Sequence, residues 1–190
     1  MNLPNMLTII RMALVPVFIV FFYLGQGGGQ IFSVLAFAVF IIASGTDAID
    51  GHIARKRNLI TTFGKLMDPL ADKVLTTAAF IVFVDVKIMP AWMVIVILSR
   101  EFAITGLRGV AAAEGTVIAA DLSGKLKTVF QMVAICVVLL ANAIGNSQTT
   151  QGVYEFFAGA GLILIWVAVA LTVYSGVEYL WKGRKLLKLK

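Results

Sequence analysis

Acidic residues are scarce in this chain of 190 residues: there are ten, against sixteen lysines and arginines, for a net charge of +6. Charged residues make up only 14% of the chain and hydrophobic ones 60%, with a mean hydropathy of +0.96. That composition excludes an ordinary soluble domain. The single cysteine, Cys136, lies in an apolar run, so no intrachain disulfide can form. The single histidine, His52, is a poor basis for a metal or proton-transfer role. No basic residue precedes the first apolar run, and Arg11 lies inside it, so the amino terminus does not read as a cleaved signal peptide. No internal repeat, low-complexity segment or second domain stands out, and residues 1–190 read as one membrane domain. In such a chain the positive charge reflects topology and contact with anionic membrane lipid, and nucleic acid is not expected as a partner.

What is present is apolar and periodic. The expected fold is all-α, with six transmembrane helices and a short amino-terminal interfacial segment before the first. Spanning takes about 20 apolar residues. The spans read as about 12–24, 31–49, 61–84, 90–112, 126–144 and 153–180. The second ends at a pair of aspartates, followed by a basic loop at residues 55–58. Pro69 falls inside the third helix, where it removes a backbone bond and introduces a bend. Six spans put both termini on one side. Lys87 is then the only basic residue in the loops of the other side. The positive-inside rule therefore places both termini and the aspartates in the cytoplasm.

Four of the ten acidic residues fall between Asp47 and Asp72. Asp47 and Asp50 are three apart, Asp68 and Asp72 four apart. On helices each spacing puts both carboxylates on one face. Two helices joined by a short loop bring the pairs together, where they repel unless cations sit between them. Oxygen-only ligands suit a hard divalent ion, Mg2+ or Mn2+.

Arg100 and Glu101 lie deep in the fourth span, where a charge needs a partner or a wet cavity. At ~1.5 Å per residue, Arg100 is roughly 15 Å and Asp72 roughly 18 Å from the outer ends of their spans. The two therefore share a depth, and a polar cavity open to the cytoplasm joins them. Glu101 projects about 100° from Arg100 on the helix, which leaves a bound phosphate as the partner for Arg100. Arg108, Lys125 and Lys127 are expected at the mouth of this cavity, the two lysines closing over the same anion. The competing reading makes Arg100–Glu101 a structural ion pair and the lysines ordinary topology determinants. Gly51 and Ala54 are small enough for a ligand to lie against the helix, or for close helix packing.

The segment Asp47-x-x-Asp50-Gly51-x-x-Ala54-Arg55, then eight residues, then Gly64-x-x-x-Asp68-x-x-x-Asp72, resembles the signature of the CDP-alcohol phosphatidyltransferase family. All eight fixed positions are filled across its 26 residues. The run Asn2-Leu-Pro-Asn5-x-Leu-Thr8-x-x-Arg11 is similar to the amino terminus of bacterial members. Ser99 to Phe102, Gly106 to Arg108 and Gly124 to Thr128 resemble the branch whose acceptor is glycerol 3-phosphate. The resemblance implies CDP-diacylglycerol as donor, sn-glycerol 3-phosphate as acceptor, a homodimer, and a bacterial plasma membrane location. It implies two ions, one held by Asp47, Asp50 and Asp68, the second near Asp68 and Asp72. Asp72 is implied as the general base. Gly51, Ala54 and Arg55, with Asn5 and Thr8, are implied on the donor. Arg100, Arg108, Lys125 and Lys127 are implied on the acceptor's phosphate.

Rival acceptors within the family are an inositol phosphate, serine or phosphatidylglycerol. A basic pocket favours a phosphorylated one over serine. A cation transporter would show paired repeats with interrupted spans, and none is found. A membrane prenyltransferase would leave Gly51, Ala54 and Arg55 unexplained.

Overall fold

The computed structural model describes residues 3–57, 62–113, 122–145 and 147–183, with side chains for these apart from residues 3–5, 7, 47–57, 62–69, 72, 112–113 and 182–183. Among the described residues six helices follow one another: α1 Leu3–Gln26, α2 Gln30–Arg57, α3 Thr62–Asp85, α4 Ala91–Ala113, α5 Leu122–Ile144 and α6 Gln151–Gly183. No strand occurs among the described residues. The chain is an all-α membrane protein. Thr8–Gln26, Leu122–Ile144 and Gln151–Trp181 are long and apolar enough to cross a bilayer, and Gln30–Thr46 is a shorter apolar stretch. α3 and α4 fall short on composition, because both carry several charges within their length.

Two boundaries differ from expectation. The amino-terminal interfacial segment is not separate: α1 is continuous from Leu3 and runs through Pro16. Pro4 sits in its first turn, where a missing N–H costs nothing, so no residue breaks the helix there. Nor does α2 stop at the aspartates. It continues through the residues expected as a basic loop, to Arg57. Ala, Arg and Lys are good helix formers, and cations at a helix carboxyl end complement its dipole.

Lipid is as apolar as leucine, so helices in a membrane associate by close packing rather than by escape from water. The two most extensive helix pairs, α1 on α2 and α5 on α6, each close on a glycine. A Cβ at Gly25 would lie 2.3 Å from Ser33 Oγ, and one at Gly161 would lie 2.7 Å from Val138 Cγ2. Between α1, α2 and α3 the half of the bundle next to the α1–α2 turn is filled by Phe18, Phe22, Phe40 and Phe83, with ring centroids 5.7–6.1 Å apart. Polar clamps fix the same end. Tyr23 donates to Asp85 at 2.9 Å, and Gln30 donates to the terminal carbonyls of α5 at Ala143 and Ile144. Large apolar side chains such as Ile42, Ile95, Ile163 and Tyr174 face outward, as a lipid-embedded surface requires.

Candidate functional site

The four aspartates lie on two packed helices. Asp47, Asp50, Gly51, Ala54 and Arg55 are in the second half of α2, and Asp68 and Asp72 in the first half of α3. The helical spacing expected for each pair is therefore present in the backbone, and the segment between the two helices is short. The side chains of these seven residues, and that of Asn5, lie outside the described residues. Thr8 is placed on α1 and is buried, one helical turn before the buried Arg11.

One residue beyond Asp72, Lys73 belongs to a charged cluster. Glu101 of α4 is its centre. It accepts from Arg100 Nη1 at 3.1 Å, accepts from Lys127 of α5, and lies 3.7 Å from Lys73 Nζ of α3. Lys73 also donates to Thr105, one turn along α4. The ammonium of Lys127 is almost wholly enclosed, while Lys73 is the most accessible of the three cations. Among the described side chains, three cations against one carboxylate leave a residual charge of +2.

The equal depth expected for Asp72 and Arg100 agrees with this contact. Their sequence neighbours, Lys73 and Glu101, meet directly. The expectation that Glu101 points away from Arg100 is corrected. A long, flexible arginine covers the 100° between adjacent residues, and the guanidinium bonds the neighbouring carboxylate. The rest of the Arg100 side chain threads a narrow passage between α5 and α6. A Cβ at Gly124 would sit 3.3 Å from Nη2, and one at Gly176 would sit 3.1 Å from Cγ. Small residues at these two points let a guanidinium lie between the helices.

The two lysines of α5 part company. Lys127 is buried and Lys125 is exposed. Residues two apart on a helix point about 200° apart, so both cannot close over one anion. Arg108 is likewise drawn aside. It donates to Tyr179 Oη at 2.9 Å and lies 5.4 Å from that ring's centre, joining α4 to α6.

Lys73 is not among the site residues expected from the sequence. Its signal was available: it lies one residue beyond Asp72, at the depth already counted for Arg100. Glu101 was weighed only as a partner for Arg100, and its contacts with α3 and α5 had no signature in spacing. From the cluster a cavity of about 510 Å³ extends along α3 and α4 toward the end of the bundle that holds Tyr23. Its far walls are apolar, with Val15, Ile19, Phe80, Ile81 and Ile97 among them. The site thus joins a cationic end to an apolar groove, which suits a reaction between a lipid and a water-soluble anion.

Comparison with known proteins points the same way. A family model described as CDP-alcohol phosphatidyltransferase matches residues 1–174. The chain is 47% identical to the CDP-diacylglycerol–glycerol-3-phosphate 3-phosphatidyltransferase of Bacillus subtilis (strain 168), over 98% of this chain and 97% of the relative. It is 38% identical to the protein of that name from Rickettsia bellii, over 94% of this chain and 93% of the relative. Another of that name, from Cereibacter sphaeroides, is 30% identical over 98% of this chain and 97% of its own length.

Proposed function

We propose, because the chain belongs to the CDP-alcohol phosphatidyltransferase family, that it transfers the phosphatidyl group of CDP-diacylglycerol to sn-glycerol 3-phosphate, giving phosphatidylglycerol phosphate and CMP. One observation carries the choice of a phosphorylated acceptor. The Glu101-centred cluster has a residual charge of +2 among its described side chains and begins one residue from Asp72. A phosphate monoester carries about −1.5 to −2 at pH 7 and matches it. Serine, a zwitterion whose single carboxylate is offset by its own ammonium, matches that charge less well, and the names of the relatives favour glycerol 3-phosphate over inositol phosphate.

The proposed chemistry uses the two ends of the site separately. Arg100 and Lys127 hold the acceptor's phosphate, with Arg108 and Lys125 further out. Asp72 takes the proton of the acceptor's free hydroxyl as its oxygen attacks the phosphatidyl phosphorus. The bond from that phosphorus to the CMP oxygen breaks, and Arg55 holds the negative charge that leaves. Gly51 and Ala54 let the cytidine part lie against α2, and Asn5 and Thr8 flank it. Oxygen ligands at Asp47, Asp50, Asp68 and Asp72 on two adjacent helices fit Mg2+ or Mn2+, as two ions, which when bound neutralise the diphosphate and polarise the phosphorus. The groove along α3 and α4 gives an acyl chain a route to this end of the bundle.

The same reading makes residues 1–190 one domain with six spans in a bacterial plasma membrane, the site facing the cytoplasm and the protein acting as a homodimer. The test is CMP release from CDP-diacylglycerol by the purified protein, offered glycerol 3-phosphate, inositol phosphate, serine or phosphatidylglycerol in turn. Release is expected with glycerol 3-phosphate, and release only with another acceptor overturns the proposal.

A further inference from the structure

Arg100 and Lys127 both reach the same carboxylate oxygen, Glu101 Oε1. Without that oxygen the two cations repel each other in a poorly hydrated place. The backbone does little to hold them together. α4 packs chiefly on α6 and only lightly on α3, and its backbone meets α5 hardly at all. The side-chain contacts of Glu101 tie α3, α4 and α5 together at this depth, and Lys73 adds its bond to Thr105 of α4. Arg100 is confined by Gly124 and Gly176, whereas Lys127 has a flexible stem and takes its place from Glu101.

We propose that Glu101 is a positioning residue for the transfer reaction. It holds Lys127 beside Arg100 so that the pair presents a fixed site for the acceptor's phosphate, and through Lys73 it ties that site to the turn of α3 that carries Asp72. The inference rests on the proposed function, since it assumes an acceptor with a phosphate. It adds a role for two residues, Glu101 and Lys73, that are not among those assigned to the acceptor's phosphate or to the cytidine part of the donor.

The two consequences of removing the charge have opposite signs. Glu101→Gln raises the residual charge from +2 to +3, so attraction for the phosphate does not weaken. The fixed geometry is lost, and a misplaced acceptor slows the chemical step. The expected result is a kcat at least about 10-fold lower, with the acceptor KM unchanged or lower. Glu101→Asp keeps the charge on a shorter stem and should recover part of kcat. A purely structural ion pair would reduce the amount of folded protein and leave kcat per folded molecule as it was.

The experiment is steady-state CMP release by Glu101→Gln, Glu101→Asp and Lys73→Gln, each normalised to the folded fraction from size-exclusion chromatography. Lys73 is the most accessible member of the cluster, so Lys73→Gln folds even where a Glu101 variant does not. It should lose kcat severalfold with the donor KM unchanged. An unchanged kcat in Lys73→Gln, or in Glu101→Gln per folded molecule, overturns the proposal, as does a raised acceptor KM at full kcat. Wild-type turnover separates the two levels. Preference for a different phosphorylated acceptor overturns the proposed function alone, and the split is then read on that acceptor. Turnover of an unphosphorylated acceptor only overturns both.

Discussion

Lys127→Met removes one buried ammonium and keeps the length of its stem. Lys127 is 2% exposed, so its charge is not diluted by water. Without it Glu101 still has Arg100 at 3.1 Å and Lys73 at 3.7 Å, and no carboxylate is left alone. The stability cost therefore stays well below the roughly 3–5 kcal/mol of an orphaned buried charge. Acceptor binding takes the larger loss. One charge-assisted hydrogen bond to the phosphate disappears, about 1.5–3 kcal/mol. At about 1.4 kcal/mol per factor of ten, the KM for glycerol 3-phosphate rises roughly 10- to 100-fold. Lys125→Met is the matched control. It removes the same charge from the exposed side of α5 and should change that KM by no more than about twofold. The assay is CMP release with glycerol 3-phosphate varied at saturating CDP-diacylglycerol. If Lys125→Met raised the KM and Lys127→Met did not, the buried cluster would not be the acceptor site.

Hydropathy and spacing made much of the fold legible, because a membrane limits what a long apolar run can be. The ends of α3, α4 and α6 fall within a few residues of their expected places. The errors occurred where charge was used as a sign of loop. Residues 55–57 are basic and helical, since nothing in Ala-Arg-Lys-Arg ends a helix. The aspartate pairs were legible because helical spacing is a local property. The cluster around Glu101 was not, because it depends on the rotation of three helices about their axes. α5 turns Lys127 inward on the same face as the buried Gln131 and Ala134, which leaves Lys125 outward. Side-chain length matters as much. By angle alone Arg100 and Glu101 point apart, and a flexible arginine side chain closes that angle easily.

The aspartate segment makes two expectations of its own. Asp47→Asn or Asp68→Asn should abolish CMP release while leaving folded protein in the membrane, and full wild-type activity in excess EDTA would remove the divalent ion from the mechanism. Asp72→Asn should lower kcat by on the order of 10²-fold or more with little change in donor binding, since a general base acts in the transition state. A full kcat with only a raised donor KM would make Asp72 a binding residue. For Arg100 the expected outcome turns on what one guanidinium can do at once. Nη1 is on Glu101, and Nη2 lies beside Gly124 at the start of α5. A planar guanidinium can keep the first contact and still offer another N–H to a phosphate, whereas one ammonium must divide itself between the two. Arg100→Ala should therefore raise the glycerol 3-phosphate KM strongly with the donor KM little changed, and Arg100→Lys should recover only part of it. If the KM does not move in Arg100→Ala, Arg100 serves only as the counter-ion of Glu101, and the phosphate is held by Lys127 and its other neighbours.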